Sequence, residues 1–300
     1  KLRVKLYKYI LFFLFLIHSI SFSQVVSDYI YTGYEASATA GAVVSQEGST
    51  WSLYHNPSGL SDVTNIQFDS GISNLYNVSF LSYSNIGVII PRKFSRIGTI
   101  GISINGLDIE YQEISMSMEQ SIGLSHALYL QKDVHSSVSM GYRINQNIWR
   151  LGKTAGPSGD GSDGQDASVK NLNSLDFGIQ ASLRNQYRFG AYIKNMYSEK
   201  FESHDQLPRR LNIGITYIPN SQFETTIAVH QRQGLKDTQL ALGVRFQINQ
   251  YLMFSTGMQS YPNRFGIGMS ANVKGFNLDY AVLTHHVLPI THQVGFRFTR

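Results

Sequence analysis

From Asn65 to the end of the chain, apolar and polar side chains alternate with a period of two. That is the spacing at which the side chains of a β-strand fall on opposite faces. In RFGIGMSANV, Phe265, Ile267, Met269, Ala271 and Val273 share one face, opposite Arg264, Gly266, Gly268, Ser270 and Asn272. QLALGVRFQIN sets Leu240, Leu242, Val244, Phe246 and Ile248 against Gln239, Ala241, Gly243, Arg245 and Gln247. SLDFGIQASLR does the same with Leu175, Phe177, Ile179, Ala181 and Leu183. One face is oily, and the other is polar or very small.

Fourteen such segments are predicted, at 65–74, 78–90, 97–107, 118–130, 134–150, 172–183, 187–196, 209–218, 222–232, 237–248, 251–260, 264–273, 276–285 and 290–299. Each carries about ten residues, the length of a tilted strand that crosses hydrocarbon. Strands of soluble sandwiches more often run about five or six. With both ends of the barrel wall on one side, connections after even-numbered strands should be short. QKD, RNQ, PNS, NQ and KG are short and PRKFSR is longer, whereas 108–117, 151–171, 197–208, 233–236 and 286–289, after odd strands, are mostly longer, with 75–77 and 261–263 as short exceptions. The expected fold is all-β, a 14-stranded antiparallel transmembrane β-barrel. A secreted sandwich would leave glycine and arginine on a plain solvent face, where glycine only weakens a strand.

If the oily face meets lipid, Gly101, Gly123, Gly141, Gly178, Gly190, Gly214, Gly243, Gly257, Gly268 and Gly295 line the lumen. Glycine within a strand is favoured where another backbone or a ligand comes close. The segment free to fill the lumen is 24–62, which lacks the alternation, so it is expected to be a partly helical plug, with the barrel at 63–300. A helical turn is predicted after Ser49 or Thr50. Asn56-Pro57 should end it, and Ser58-Gly59 should permit a sharp exit to the wall. The inward charges Asp69, Arg143, Asp176, Arg184, Arg188, Arg245, Asp279 and Arg297 are expected to hold the plug through paired hydrogen bonds. The competing role is selection of a permeant. Tyr83, Tyr142, Tyr217, Tyr251, Tyr261, Phe276 and Tyr280 are expected in aromatic girdles at the membrane interfaces.

The N-terminus has the form of an export signal over 1–23. Lys1, Arg3, Lys5 and Lys8 precede an apolar run from Ile10 to Ile20, and Ser21-Phe22-Ser23 supplies small residues for cleavage before Gln24. Without those residues the balance is 21 basic against 20 acidic side chains, so the basic pI implies no nucleic-acid partner. The absence of cysteine rules out disulfides and an N-terminal lipidated cysteine. No further apolar run reaches helical membrane-spanning length, so a membrane location requires a closed sheet.

Other constellations carry little chemistry. Asp160, Asp163 and Asp166 are three residues apart, unlike the alternate spacing of a calcium loop. His285 and His286 point to opposite faces of a strand and cannot both join His292 on a metal without a bulge. G-x-S-x-G and H-E-x-x-H are absent, so no enzyme activity, metal or cofactor is expected.

Two stretches carry a resemblance. LYHNPSGLS, with Asn56, Pro57, Ser58, Gly59 and Leu60, resembles the Asn-Pro-Ala-Gly-Leu motif that closes the N-terminal hatch in the FadL-like superfamily, with Ser58 in place of alanine. SYPNRFGIGMSANVKGFNLDYAVLTHHVLPITHQVGFRF is similar to the C-terminal end of the PorV/PorQ branch. The ending FRFTR departs from the terminal aromatic of many barrels. The resemblance implies an outer-membrane accessory of type IX protein secretion and surface attachment in Bacteroidetes-like bacteria. It would meet lipid and other envelope proteins, with loops 108–117 and 151–171 as working surfaces. At superfamily level it implies instead a passive transporter of small hydrophobic compounds, with an apolar pocket near Trp51, Leu53, Tyr54 and Leu60.

Overall fold

Along Arg210–Asn220 burial alternates residue by residue. Arg210, Asn212 and Thr216 are buried, while Leu211, Ile213, Ile215 and Tyr217 stand 40–49% exposed. The sheet is therefore inside out, with polar side chains enclosed and apolar ones outside. The same holds at Phe265, Ile267 and Met269, exposed around buried Gly266, Gly268 and Ser270. Ile72, Ile102, Leu124, Ile144, Ile227 and Leu240 extend the apolar exterior around the wall. Such a belt far exceeds the patches of a few hundred Å² found on soluble monomers.

The computed structural model describes residues 29–46, 48–94, 97–111, 114–154, 156–159, 162–165, 169–201 and 205–300. The expected export signal at 1–23, its cleavage before Gln24, and Asp160 and Asp166 lie outside the described residues. Fourteen strands close one antiparallel barrel. They are β1 (Gln67–Asn74), β2 (Leu81–Ile90), β3 (Thr99–Tyr111), β4 (Ile114–Lys132), β5 (Ser136–Leu151), β6 (Lys170–Leu183) and β7 (Tyr187–Ser198), followed by β8 (Arg210–Asn220), β9 (Phe223–Arg232), β10 (Gln239–Gln247), β11 (Leu252–Gln259), β12 (Arg264–Val273), β13 (Phe276–Leu283) and β14 (Thr291–Thr299). Each pairs with its neighbour in sequence, and β1 closes on β14 with Asp69 opposite Arg297.

The expected loop at 108–117 is not a loop. β3 runs to Tyr111 and β4 starts at Ile114, because the ladder continues past the point where the outward face stops being oily. A register shift at Ile109/Glu110 marks that change. With 19 residues in β4 at about 3.3 Å each, this strand spans roughly 60 Å, well beyond a hydrocarbon core of about 30 Å. The expected connection 197–208 contains a two-residue pairing of Lys200–Phe201 with Asp205–Gln206. Arg184 and Tyr83 also differ from expectation. Arg184 sits exposed in the turn after β6, with a positive φ of 54°, since the strand ends one residue earlier. Tyr83 is buried in the lumen, where its hydroxyl meets Thr32 Oγ1 at 2.6 Å, so it belongs to no girdle.

The described part of the N-terminal segment fills the lumen with a helix α1 (Tyr34–Ala38), a second helix α2 (Ser52–His55) and a 3-10 helix Pro57–Asp62. All five residues of α1 are buried. Leu53, Tyr54, Leu60 and Val63 pack with Ile89 and Ala127 of the wall. Wall glycines set the distance between plug and sheet. A Cβ at Gly268 would lie 2.7 Å from the Tyr34 ring, and one at Gly243 would lie 2.8 Å from Thr39 Cβ. At Gly257 the nearest atoms belong to the Thr39 backbone, and at Gly141 to Pro57 and Ser58. Gly123 and Gly295 do a different job, facing the Arg143 guanidinium and the Asp279 side chain.

Gly257→Val, which drives a side chain into the Thr39 backbone, is expected to lower stability by about 1–3 kcal/mol or more and to open residues 29–46 to protease. Met258→Val, on the exposed side of the same strand, should change neither. Thermal unfolding and limited proteolysis in detergent measure both.

Candidate functional site

The Asn56-Pro57 dipeptide ends α2 and starts the next turn. Asn56 is extended (φ −167°, ψ 100°), and its Oδ1 accepts from the Ser58 N–H at 3.3 Å and the Ser58 hydroxyl at 2.6 Å. Proline in the first turn costs nothing there, because its missing N–H would have had no helical partner. Asn56 thereby caps the turn, and Ser58, at the position the resemblance assigns to alanine, adds a hydroxyl donor to that cap. Asn56 Nδ2 also donates to Val44 O at 2.7 Å, joining the two halves of the plug. Pro57, Ser58, Gly59 and Leu60 are buried. The motif is thus a buried brace within the lumen, packed on Gly141 and Gly178, and the chain runs from it into the wall strand β1 at Gln67.

Four of the eight predicted inward charges tie plug to wall. Arg143 donates to Leu53 O at 2.9 Å and lies 5.7 Å from the Tyr54 ring centroid. Arg297 pairs with Glu35 at 2.9 Å and with Asp279 at 2.6 Å. The guanidinium groups of Arg245 and Arg297 sit 5.1 and 5.5 Å from the Trp51 ring centroid, a range in which cation–π attraction operates. Asp69 accepts from Asn85 at 2.7 Å and from the Tyr54 hydroxyl at 3.4 Å. Three of the predicted charges, Asp176, Arg188 and Asp279, instead brace wall to wall. Asp176 takes Asn145 and Tyr192 at 2.9 Å and the Asn195 N–H at 2.7 Å. Arg188 pairs with Glu224, which also pairs with Arg245.

Several ties were not among the predicted residues. Burial raises the Glu35 carboxyl to about 7, against the pull of Arg297, and lowers His55 to about 4, leaving a neutral ring 2.7 Å from Thr32 O. Gln180 donates to Ser45 O at 3.0 Å, Ser45 meets Thr216 at 2.7 Å, and Tyr31 donates to Gln259 at 2.7 Å. Alternation places Gln180, Thr216 and Gln259 on the inner face. Their plug partners, drawn from a run with no period, had no such signal.

Trp51, Leu53 and Leu60 are packed shut, and of the four residues assigned to an apolar pocket only Tyr54 borders the two larger cavities. A cavity of about 110 Å³ lies towards the long connections, edged by Tyr83, Asn105, Asn145, Asn147, Trp149 and Asn195. A second, of about 40 Å³, lies against Val43, His55, Tyr192, Arg210, Asn212 and His230. The two share Tyr29, Thr32, Tyr54 and Lys194. Among the described residues no cluster of His, Asp or Glu suits a metal ion.

Arg297→Leu leaves Glu35 and Asp279 buried without their cation and is expected to cost about 3–5 kcal/mol. Glu35→Gln is expected to cost less, about 1 kcal/mol, because glutamine keeps an oxygen acceptor of the same shape for Arg297 and burial already disfavours the charged carboxyl. Urea unfolding of the two variants in micelles gives the comparison; equal losses would remove Arg297 as the pin.

No protein-family model matches the chain. No curated protein matches it either. Several solved structures share its fold. The CymD monoaromatic hydrocarbon channel matches with a TM-score of 0.65 at 10% identity, over 92% of this chain and 99% of that one. The toluene transporter TodX of Pseudomonas putida matches at 0.59 and 10%, over 92% and 99%. A FadL homologue of Pseudomonas aeruginosa matches at 0.53 and 9%, over 89% and 97%. The chain shares the closed fourteen-stranded barrel architecture of these FadL-type outer-membrane proteins.

Proposed function

We propose that the chain is a bacterial outer-membrane barrel that passively admits small hydrophobic compounds past its N-terminal plug. The observation that carries this reading is a pair of neighbouring cavities beside the plug, with Tyr29, Thr32, Tyr54 and Lys194 lining both. The fold shared with hydrocarbon channels supports it. The unbroken apolar exterior supports a place in lipid, where only helices and closed barrels satisfy every backbone group. Proteoliposomes holding the protein should take up small neutral aromatics faster than empty vesicles. Ser45→Cys with Thr216→Cys, whose native hydroxyls are 2.7 Å apart in a chain without cysteine, should cut that uptake at least tenfold when oxidised. Reductant should restore it. Uptake no faster than in empty vesicles removes the reading, and uptake indifferent to the lock removes the route past the plug.

A second reading is an accessory role in type IX secretion and surface attachment. It rests on the C-terminal resemblance, and one feature of the fold favours it. β4 and β5, of 19 and 16 residues, outreach the bilayer and offer paired strand surface to an extracellular partner. Deleting the gene should then reduce surface display of secreted proteins; unchanged display would end this reading.

A further inference from the structure

The larger cavity is walled by two kinds of group on inward positions. Tyr29, Tyr83 and Trp149 with Leu107 and Leu172 supply ring faces and aliphatic surface, and Asn105, Asn145 and Asn147 supply side-chain amides. Its volume of about 110 Å³ is close to that of an engineered cavity of about 150 Å³ that accepts a single benzene.

The ions along the lining are already engaged. Asp176 is held by Asn145, Tyr192 and Asn195. Arg143 donates to Leu53 O and Asn105 Oδ1, and Glu119 and Lys194 also have partners. The four charged side chains of the lining, Glu119, Arg143, Asp176 and Lys194, sum to zero formal charge, and Arg143 stands opposite Asp176 across β5 and β6, which favours a neutral molecule.

Of the lining's polar atoms without a partner among the described residues, Tyr29 Oη, Arg143 Nε and Asn145 Oδ1 are fully buried, which leaves two that a ligand can reach. Asn147 spends its Nδ2 on Leu172 O and the Ser174 hydroxyl, and among the described residues its Oδ1 accepts nothing. Ser121 lines the same cavity with no side-chain hydrogen bond to a described residue. The two stand directly opposite one another across β4 and β5, where cross-strand Cβ atoms are about 5 Å apart. One hydroxyl on a ligand can reach both, donating to Asn147 Oδ1 and accepting from Ser121 Oγ.

We propose that this cavity binds one small neutral aromatic ring bearing a hydroxyl group, a ligand of the phenol class. The ring lies against Trp149 and the tyrosines, and the hydroxyl bridges Ser121 and Asn147. A bare hydrocarbon fills the same space but strips water from both polar atoms without replacing it, a loss of roughly tenfold in affinity. A sugar brings more hydroxyls than the aromatic half of the cavity can satisfy. The inference deepens the small-solute reading of function, from which it takes the idea that the cavity is a solute site.

Isothermal titration calorimetry of the full protein in micelles, against a detergent blank, tests it with phenol, toluene and glucose as probes. Phenol is expected to saturate at one per chain, with toluene at least tenfold weaker and glucose giving no heat of binding. Ser121→Val and Asn147→Leu should each weaken phenol about fivefold and leave toluene unchanged, while Trp149→Ala weakens both. If Asn147→Leu fails to fold, as judged by heat-modifiable migration, Ser121→Val carries the test alone. Toluene equal to phenol, preferential binding of glucose, or an unmoved phenol affinity in a folded variant overturns the proposal. Uptake of aromatics into proteoliposomes without saturable phenol binding overturns this site and leaves the channel. Phenol binding without uptake keeps the site and overturns the channel.

Discussion

Backbone against backbone is the contact that governs this molecule. A barrel of fourteen strands encloses more space than its own inward side chains fill, and the N-terminal segment occupies the difference by lying directly on the sheet. That approach is possible only where the wall has no Cβ. Gly190 and Gly214 face Val44 and Ser45, Gly243 and Gly257 face Thr39, and Gly266 and Gly268 face Ser37, Ala38 and Tyr34. Small residues on the plug answer small residues on the wall. Each glycine weakens its strand in isolation, and the loss is offset by dispersion contacts that a longer side chain would hold apart.

Close packing alone leaves a polar problem, because a chain pressed into a lumen carries its own N–H and C=O groups out of water. The wall answers with side chains of fixed reach. Arg143 satisfies Leu53 O, Gln180 satisfies Ser45 O, and Asn56 satisfies Val44 O from within the plug. The arginines serve twice, since Arg297 and Arg245 also lie over the Trp51 ring. A planar guanidinium can hold a carboxylate at its edge and an aromatic on its face. Lysine, a compact point charge, lacks the plane that lets one group do both at once.

The wall was legible because alternation is a physical consequence of the pleat. Phe265, Ile267 and Met269 could face only one way together, and burial of the glycines between them follows. Strand ends were less so. The outward residues of 108–117 lose their oiliness above the apolar band, whereas the ladder does not depend on them, so hydrophobicity marks the edge of the band and not the end of the strand. Arg184 shows the converse, since parity carried one step past Leu183 assigns an inward face to a turn. The plug was legible as a requirement but not as a shape. Glycine positions announced that something comes close, while the run YEASATAGAVVS has no period from which to read α1, the Glu35–Arg297 pair or the second role of Asn56. The cavity was hidden for a related reason. Asn145, Asn147 and Trp149 alternate correctly for the inner face, yet nothing in their spacing says that the plug stops short of them.

The distribution of glycine also explains where a route can run. Plug and wall are in contact around β5 to β12 wherever the inner face is bare backbone, and a seal of that kind admits nothing. Towards the long connections, the inner faces of β3, β5 and β6 carry Asn105, Leu107, Asn145, Asn147, Trp149 and Leu172 instead. Side chains of that size hold the plug off and leave the space above it open. Both cavities are lined by Tyr54, whose hydroxyl is tied to Asp69 by a single 3.4 Å contact, weaker than the Arg297 and Asn56 ties around it. Expulsion of the whole plug would strip partners from Glu35, Leu53 O and Ser45 O together, so the contacts that fill the lumen also set the cost of opening it.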